Sequence, residues 1–181
     1  CASFVFKPSV VETKIIEAGG VTPSINFEFI GRVLVKNEDK GFSGGVRWSH
    51  ISTVDNINLL SPFGQVVAEI KSNESAALLT TSEQRTYRAT NVESLTKKVL
   101  GWRLPILGLQ YWVRGVNSPK TKSEIDRDAD GRIIGIRQDG WTIIYTSYFP
   151  SQLIKTERPR VLVLKRSNLK IKLVIDNWET K

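Results

Sequence analysis

Apolar and polar residues alternate with a period of two along most of this chain. In the first such stretch one face carries polar residues, and the other carries the apolar residues Ile25, Phe27, Phe29, Val33 and Val35. Because successive side chains of a β-strand point to opposite faces of its sheet, this alternation predicts strands with one buried face. The pattern recurs at 41–49 and 168–176, and further strand candidates are 53–60, 65–70, 76–80, 84–89, 132–137, 141–148 and 160–165. We therefore expect about ten to eleven strands joined mostly by short turns, and so an antiparallel sheet.

Turn residues predict where two of these strands reverse. Asp139-Gly140, directly before Trp141, is typical of a two-residue hairpin turn in which both central residues have positive φ. The stretch Ser61-Pro62-Phe63-Gly64 fits a type I turn, with proline second and glycine fourth. This second turn puts Phe63, a large apolar ring, at the tip of a hairpin, where a polar residue is expected.

Helical patterns interrupt the strands in mid-chain. Residues 90–93 (Thr-Asn-Val-Glu) form a capping box, and the helix that follows closes at Gly101. A second short helix is predicted to start at Pro105 and to end before Gly115.

The apolar face of the predicted sheet is larger than two short helices can cover. Two architectures resolve this mismatch. The sheet either closes into a barrel filled by its own side chains, or curls into an open trough that the helices partly cover, leaving an apolar ligand cavity. The period of the pattern is the same in both cases. We expect residues 25–181 to form this one domain and residues 1–24 to be a tether, or one more amphipathic helix ending at Gly19.

The chain carries a net charge of +8 and a pI near 9.7. An acidic protein, a nucleic acid, an anionic membrane surface or a merely basic solvated surface are all compatible with that charge. Lysine and arginine are scattered, and Trp48 and Trp102 lie among apolar neighbours, as core residues do. Nucleic-acid binding by aromatic stacking in a basic groove is therefore disfavoured.

Cys1 is the only cysteine, and the chain contains no methionine. A mature chain that begins with cysteine is typical of a lipoprotein whose signal peptide is cut before a lipidated residue, and the alternative is an accidental start. No apolar run approaches the ~18 to 20 residues of a spanning helix.

Few residues are suited to catalysis or metal binding. His50 is the only histidine, so a Cys/His nucleophile pair or a His/Cys metal cluster is not available. Residues 126–131 (Asp-Arg-Asp-Ala-Asp-Gly) match the opening of a calcium-binding loop, but position twelve is Arg137 instead of glutamate. An exposed Asp/Gly-rich turn explains the run better. We expect no enzymatic activity, no metal and no cofactor.

Five stretches in order carry a resemblance to a known family: LLSPFG, TYRAT, LGWRLPILGLQYWVRG, DGRIIGIRQDGWTIIYTSY and LKIKLVIDNW. From about Phe29 to Trp178 the chain resembles the LolB family, outer-membrane lipoproteins that receive lipoproteins from the periplasmic carrier LolA. The long polar first helix of that family is not evident before Ile25. Ala2 is not the aspartate that retains a lipoprotein at the inner membrane.

The resemblance implies a fold and a function. The fold is a single open antiparallel half-barrel, mainly β, with helices as a lid over an apolar cavity for acyl chains. The chain is then a monomer anchored through Cys1 to the periplasmic face of the outer membrane. Its partners are LolA, client lipoproteins and outer-membrane phospholipid, with no nucleic acid.

The resemblance also implies two groups of site residues. Pro62, Phe63 and Gly64 correspond to the protruding L-x-x-P-L-G loop that helps to release the client into the bilayer, with a ring in place of leucine. The inward alternation proposes the cavity lining as Phe27, Phe29, Val33, Trp48, Trp141, Ile143 and Tyr145 from strands, and Leu95, Val99, Leu107 and Trp112 from the lid.

Overall fold

The computed structural model describes residues 9–20, 25–150 and 158–179. Within these ranges one sheet contains twelve strands: β1 (Glu12–Ile16), β2 (Phe27–Asn37), β3 (Lys40–Ile51), β4 (Val54–Leu60), β5 (Val66–Ser72), β6 (Ala77–Thr81), β7 (Thr86–Ala89), β8 (Ser123–Arg127), β9 (Ile133–Gln138), β10 (Trp141–Tyr148), β11 (Pro159–Arg166) and β12 (Leu169–Glu179). The helices of the same ranges are α1 (Val92–Leu100) and α2 (Ile106–Trp112). The strand order is β1-β8-β9-β10-β11-β12-β2-β3-β4-β5-β6-β7. All neighbouring strands are antiparallel, so the predicted open antiparallel sheet is confirmed.

The longest strands, β12, β2 and β3, lie side by side in the middle of the sheet. In β2 the predicted alternation holds: Phe29 and Val35 are fully buried, while Arg32 and Lys36 are exposed. The inward residues of all these strands form one apolar core against the helices. The period of two therefore assigned the inner face of the central strands correctly.

The sheet bends where glycines face irregular pairing. A Cβ at Gly31 would lie 2.3 Å from the carbonyl oxygen of Val174, so only glycine allows β12 to approach this closely. Directly opposite Gly31, the β12 register shifts between Ile175 and Asn177. Bulges of this kind bend a strand and increase its twist. The sheet is thus curved around the helices instead of being flat.

Both predicted helices are present. The N-cap of α1 is Asn91, one residue after the predicted Thr90, and its side-chain oxygen accepts the backbone N–H of Ser94 at 2.9 Å. α1 packs on β6 and β7 and ends at Gly101, as predicted. The N–H of Leu104, in the short link between the helices, donates to the hydroxyl oxygen of Thr96 in α1 at 3.0 Å. This bond ties the start of α2 to α1.

The sequence reading missed two strands, β1 and β8, which pair with each other at one edge of the sheet. The segment expected to be a tether or a helix contains β1, so the helical alternative is wrong for Glu12–Ile16. All but the last residue of β1 are exposed, so β1 lacks an apolar period. Acidic Glu124 and Asp126 break the apolar pattern of β8. Polar contacts hold this pair of strands, since the hydroxyl of Thr13 donates to Asp126 at 2.7 Å.

Arg137 of β9 forms the ion pairs of this edge. Its guanidinium donates to both carboxylate oxygens of Asp126 at 2.7 and 2.9 Å, and to Glu124 at 2.8 Å. The hydrogen bonds from Arg137 lower the pKa of Asp126 below its usual value, and the bond from Thr13 adds to this, against the opposing effect of burial.

We expect Asp126 to contribute pH-dependent stability. A carboxylate whose pKa is lower in the folded than in the unfolded chain stabilises the fold above its unfolded pKa of about 4, and this contribution is lost as pH falls through the folded pKa. The free energy of unfolding of wild type and Asp126→Asn is measured in urea at pH 7 and at pH 2.5, and the difference between the two proteins should be smaller at pH 2.5 than at pH 7. The same difference at both pH values would contradict this assignment.

Candidate functional site

The β4–β5 hairpin is closed by the turn that the sequence predicted. The N–H of Gly64 donates to the carbonyl oxygen of Ser61 at 2.9 Å, and the N–H of Ser61 donates to Gln65 at 2.7 Å. Gly64 has φ of +85°, a conformation that favours glycine. The hydroxyl oxygen of Ser61 also accepts the N–H groups of Phe63 and Gln65 at 3.2 and 3.3 Å. A type I turn followed by a left-handed residue is a common three-residue hairpin loop, and its dense bonding makes the tip rigid.

Phe63 stands at the tip of this loop with 93% of its surface exposed. Among the large apolar side chains that the structure describes, the next most exposed is Val11, at 67%. Exposing an aromatic ring of this size to water forgoes about 1.5 to 3 kcal/mol of burial free energy. The ring is therefore not folded back onto the sheet, and it is free to enter an apolar phase.

The residues predicted to line a cavity do come together. Those that are at most 8% exposed, all in the apolar core, are Phe27, Phe29, Val33, Trp48, Leu95, Trp112, Trp141, Ile143 and Tyr145. Val99 is half-buried and packs against the same core. Their rings contact one another, with centroids 5.1 Å apart for Phe27 and Trp48. These side chains therefore pack against one another in one apolar core.

Leu107 differs from the other predicted lining residues. It lies in α2, but 56% of its surface is exposed, so the expectation that it faces the sheet is wrong for this structure. The buried positions of the helix are Ile106, Leu109 and Trp112. With 3.6 residues per turn, Leu107 falls on the side of α2 away from them.

A buried carboxylate, Asp55 of β4, connects the sheet to α2. Asp55 is 2% exposed. One of its oxygens accepts the indole N–H of Trp48 at 2.8 Å and lies 2.7 Å from Nδ1 of His50. The other accepts the side-chain amide of Gln110 from α2 at 2.7 Å. This Asp55 cluster (Trp48, His50, Asp55 and Gln110) satisfies the buried carboxylate with partners from β3 and α2.

A second polar contact ties the same helix to β9. The indole N–H of Trp112 donates to the side-chain oxygen of Gln138 at 2.9 Å. The amide nitrogen of Gln138 in turn donates to the carbonyl oxygens of Ser118 and Thr121 at 2.8 and 3.0 Å. The hydroxyl of Tyr145 donates to the carbonyl oxygen of Trp112 at 2.5 Å, and burial raises the pKa of this phenol, which keeps it protonated as a donor.

The two contacts show how strongly the sheet curves. In a flat sheet β4 and β9 would lie six strand spacings apart, or ~29 Å at the usual ~4.8 Å per strand. Instead, both reach α2, through two residues that are two positions apart in sequence. The helix therefore bridges the two halves of the trough and acts as its lid.

Sequence reasoning missed Asp55, Gln110 and Gln138 as lid contacts. A signal was present for Asp55, which shares the inward positions of β4 with Ile57 and Leu59. An acidic residue at an inward position needs a buried partner. The partner itself is 55 residues away in sequence, so the strand pattern alone does not identify it.

The calcium-loop-like run forms the end of β8 and the β8–β9 turn. Asp128 accepts the backbone N–H groups of Asp130 and Arg132, both at 3.0 Å. Asp126 is occupied by Arg137, the residue at position twelve of the motif. The prediction of an exposed turn is confirmed for residues 129–131, whereas Asp126 and Asp128, which precede them, are buried at 9% and 8% exposure.

Cys1, the predicted lipidation site, lies outside the described residues. Neither α1 nor α2, the helices of the described ranges, has the length and hydropathy to cross a membrane.

Comparisons with known proteins agree with the fold and the sequence motifs. Residues 25–178 match the family model described as outer membrane lipoprotein LolB. The outer-membrane lipoprotein LolB of Nitrosomonas europaea is 44% identical over 153 residues, which cover 84% of this chain and 72% of that protein. The protein of the same description from Thiobacillus denitrificans is 39% identical over 150 residues, 83% of this chain and 78% of that protein.

Solved structures with little sequence identity share the fold. A LolA superfamily protein from Nitrosomonas europaea superposes with a TM-score of 0.54 at 10% identity, covering 88% of each chain. A DUF1329 family protein from Desulfovibrio piger superposes with a TM-score of 0.55 at 6% identity, covering 87% of this chain and 86% of the other. The curved sheet with a helical lid is therefore a shared architecture.

Proposed function

This chain belongs to the LolB family of outer-membrane lipoproteins, and from that membership we propose that it transfers other lipoproteins to the outer membrane. It receives them from the periplasmic carrier LolA, holds their acyl chains against its apolar interior, and inserts them into the inner leaflet. The lipid on Cys1 anchors the chain at the periplasmic face of that membrane.

The exposure of Phe63 is the observation that carries this proposal. A ring that is 93% exposed on a rigid hairpin has no role in folding, since it contributes no burial. Its partition into a membrane interface provides about 1.5 to 3 kcal/mol, which orients the protein and perturbs the lipids locally but does not anchor it. Phe63 therefore acts at the step where the client leaves.

The acyl chains occupy the space between the lid and the sheet. The interior residues beneath α2 are aliphatic and aromatic, which suits acyl chains. Because these residues are packed together, binding displaces α2 and exchanges contacts of the lid for contacts with the client. Transfer then follows graded apolar affinity and needs no covalent chemistry.

The lid contacts make this opening reversible. Gln110 and Trp112 hold α2 through three hydrogen bonds to side chains of the sheet, namely Asp55 on one side of the trough and Gln138 and Tyr145 on the other. A typical net contribution of about 0.5 to 1.5 kcal/mol per hydrogen bond is small enough for client binding to overcome. The lid thus closes the apolar interior when no client is bound.

A two-step transfer assay tests the proposal. A labelled triacylated lipoprotein is loaded on LolA, mixed with this protein, and then exposed to liposomes, with a client stripped of its acyl chains as the control. We expect the acylated client to move first to this protein and then to the liposomes, while the stripped client stays behind. If the acylated client never leaves LolA, the packed interior is a permanent core, and the chain is a structural outer-membrane lipoprotein.

A further inference from the structure

The outer face of the sheet carries three lysines in one row. Lys165 of β11 pairs with Lys170 of β12, and Lys170 pairs with Lys36 of β2. All three are exposed, while their neighbours Leu164, Ile171 and Val35 point into the core and are at most 2% exposed. This lysine row (Lys36, Lys165 and Lys170) therefore lies on the convex face, opposite the helices.

The row is unfavourable for folding. Like charges at directly opposed positions of neighbouring strands destabilise a sheet. Neighbouring strands are ~4.8 Å apart, so the row spans only ~10 Å, comparable to the Debye length at physiological salt. Within the part of the chain that the structure describes, none of the three lysines forms an ion pair.

Several acidic side chains of this face are paired with arginines and not with the lysine row. Asp176 accepts two hydrogen bonds from Arg32, at 2.8 and 3.2 Å. Arg137 holds Glu124 and Asp126. Glu38 and Asp39, in the β2–β3 turn, form no ion pair with the three lysines among the described residues. The three ammonium groups therefore remain able to bind an anion from outside the chain.

The lysine row lies close to the end of the strands where Phe63 is found, which we call the Phe63 end. Lys36 is one residue from the end of β2, and the β2–β3 turn follows it. In an antiparallel sheet successive turns alternate between the two ends of the strands, so the β4–β5 hairpin lies at the same end as the β2–β3 turn. The β11–β12 turn is at the Phe63 end too, because Leu169 pairs with Asn37.

We propose that the lysine row binds the anionic headgroups of phospholipids when the Phe63 end of the sheet meets the membrane. This inference rests on the proposed function and adds the lipid class that the surface selects. The next row of the same face, farther from Phe63, adds a fourth exposed cation, since Lys172 stands between Val163 and Leu34. Clustered exposed lysines beside an apolar tip that enters the bilayer suit a layer of anionic headgroups.

A lipid fits this face better than an acidic protein surface such as that of a carrier. Acyl chains handed over by a carrier enter between the lid and the sheet, on the concave face. The lysine row points the other way. The lysine row is therefore on the face opposite to the proposed acyl-chain site.

Vesicle binding tests the proposal. The full chain with Cys1→Ala, which removes the anchor, is sedimented with phosphatidylcholine vesicles containing no or about a third phosphatidylglycerol. The test variant is K36Q/K165Q/K170Q. The control K14Q/R47Q/R88Q removes three exposed cations of β1, β3 and β7, which likewise have no ion pair among the described residues.

At roughly fivefold per lysine near an anionic surface, the test variant with three replaced lysines should lose about 100-fold in affinity for the anionic vesicles. The control should lose threefold or less, and K36R/K165R/K170R should bind as wild type does. The test variant should melt at the same or a higher temperature than wild type, because a repulsion is removed. Equal losses in test and control, or equal binding to neutral and anionic vesicles, would overturn the proposal.

The outcomes also separate this inference from the proposed function. Transfer from LolA is measured in parallel with neutral liposomes. If transfer works but the row variant binds anionic vesicles normally, only the lipid assignment fails. If the row variant binds vesicles normally but no longer accepts the client from LolA, the row is a protein contact, and the lipid proposal is overturned.

Discussion

Replacing Phe63 with glutamate is expected to stop delivery of lipoproteins to liposomes while leaving their acceptance from LolA intact. The ring is 93% exposed, so the substitution removes no packing and should not change the melting temperature. A carboxylate does not enter a membrane interface, and the lost partition energy of about 1.5 to 3 kcal/mol corresponds to a delivery rate reduced roughly 10- to 150-fold. Phe63→Leu, which keeps an apolar side chain, should deliver at close to the wild-type rate.

Ile51→Glu is the matched control for this prediction. Ile51 is 50% exposed and is the last residue of β3. The β3–β4 turn that follows it lies at the end of the strands opposite to Phe63. The charge change is the same, but the site lies at the end of the strands away from Phe63. Equal loss of delivery in both variants would mean that net charge, and not the hairpin tip, controls the step. Loss of acceptance in Phe63→Glu would place the ring at the contact with the carrier.

Replacing Asp55 with alanine is expected to destabilise the fold by about 3 to 5 kcal/mol, because several buried polar groups each lose a hydrogen-bond partner at a cost of about 1 to 3 kcal/mol. The carboxylate is 2% exposed and accepts from Trp48 and Gln110, while Nδ1 of His50 lies 2.7 Å away. Its removal leaves those polar groups buried without a partner. Urea denaturation of wild type and Asp55→Ala at pH 7 measures the effect, and a change below 1 kcal/mol would contradict it.

Gln110→Ala separates the role of Asp55 in the lid from its role in the sheet. The variant removes the bond between α2 and β4 but leaves the Trp48 and His50 contacts of Asp55 in place. We expect a smaller destabilisation of about 1 to 2 kcal/mol. Amide hydrogen exchange should quicken in α2 more than in the central strands. Client uptake should be faster if opening of the lid limits it, and unchanged exchange in α2 would show that the bond does not hold the lid.

Local rules correctly predicted the features that depend on neighbours in sequence. The Asp139-Gly140 hairpin is present, with φ of +53° and +81° at its two central residues. The Ser61–Gly64 turn and the end of α1 at Gly101 follow equally from residue type, whereas the N-cap of α1 is Asn91 and not the predicted Thr90. Central strands such as β2 were predicted because one face is buried and the other is solvated, which imposes the period of two.

Edge strands and polar contacts did not follow from local rules. β1 is solvated, and β8 buries the polar Ser123 and Asp126 beside Ile125, so neither strand shows an apolar period of two. Thr13 and Arg137 hold the two strands through Asp126. The same reason hides the lysine row: each lysine is an ordinary outward residue of its strand, and only the register puts the three together. Leu107 was misassigned because a seven-residue helix offers too few positions to define its buried face.

The sequence by itself determined the alternation of strands, the turn chemistry and the family, because each depends on residues close together in the chain or on motifs in order. Only the tertiary structure decided that Phe63 stays out of the core, that the interior is packed, and that Asp55 and Gln138 meet α2 from the two halves of the sheet. Those outcomes depend on the curvature of the sheet. The curvature in turn results from strand register, bulges and the close approach at Gly31, which join residues more than a hundred positions apart.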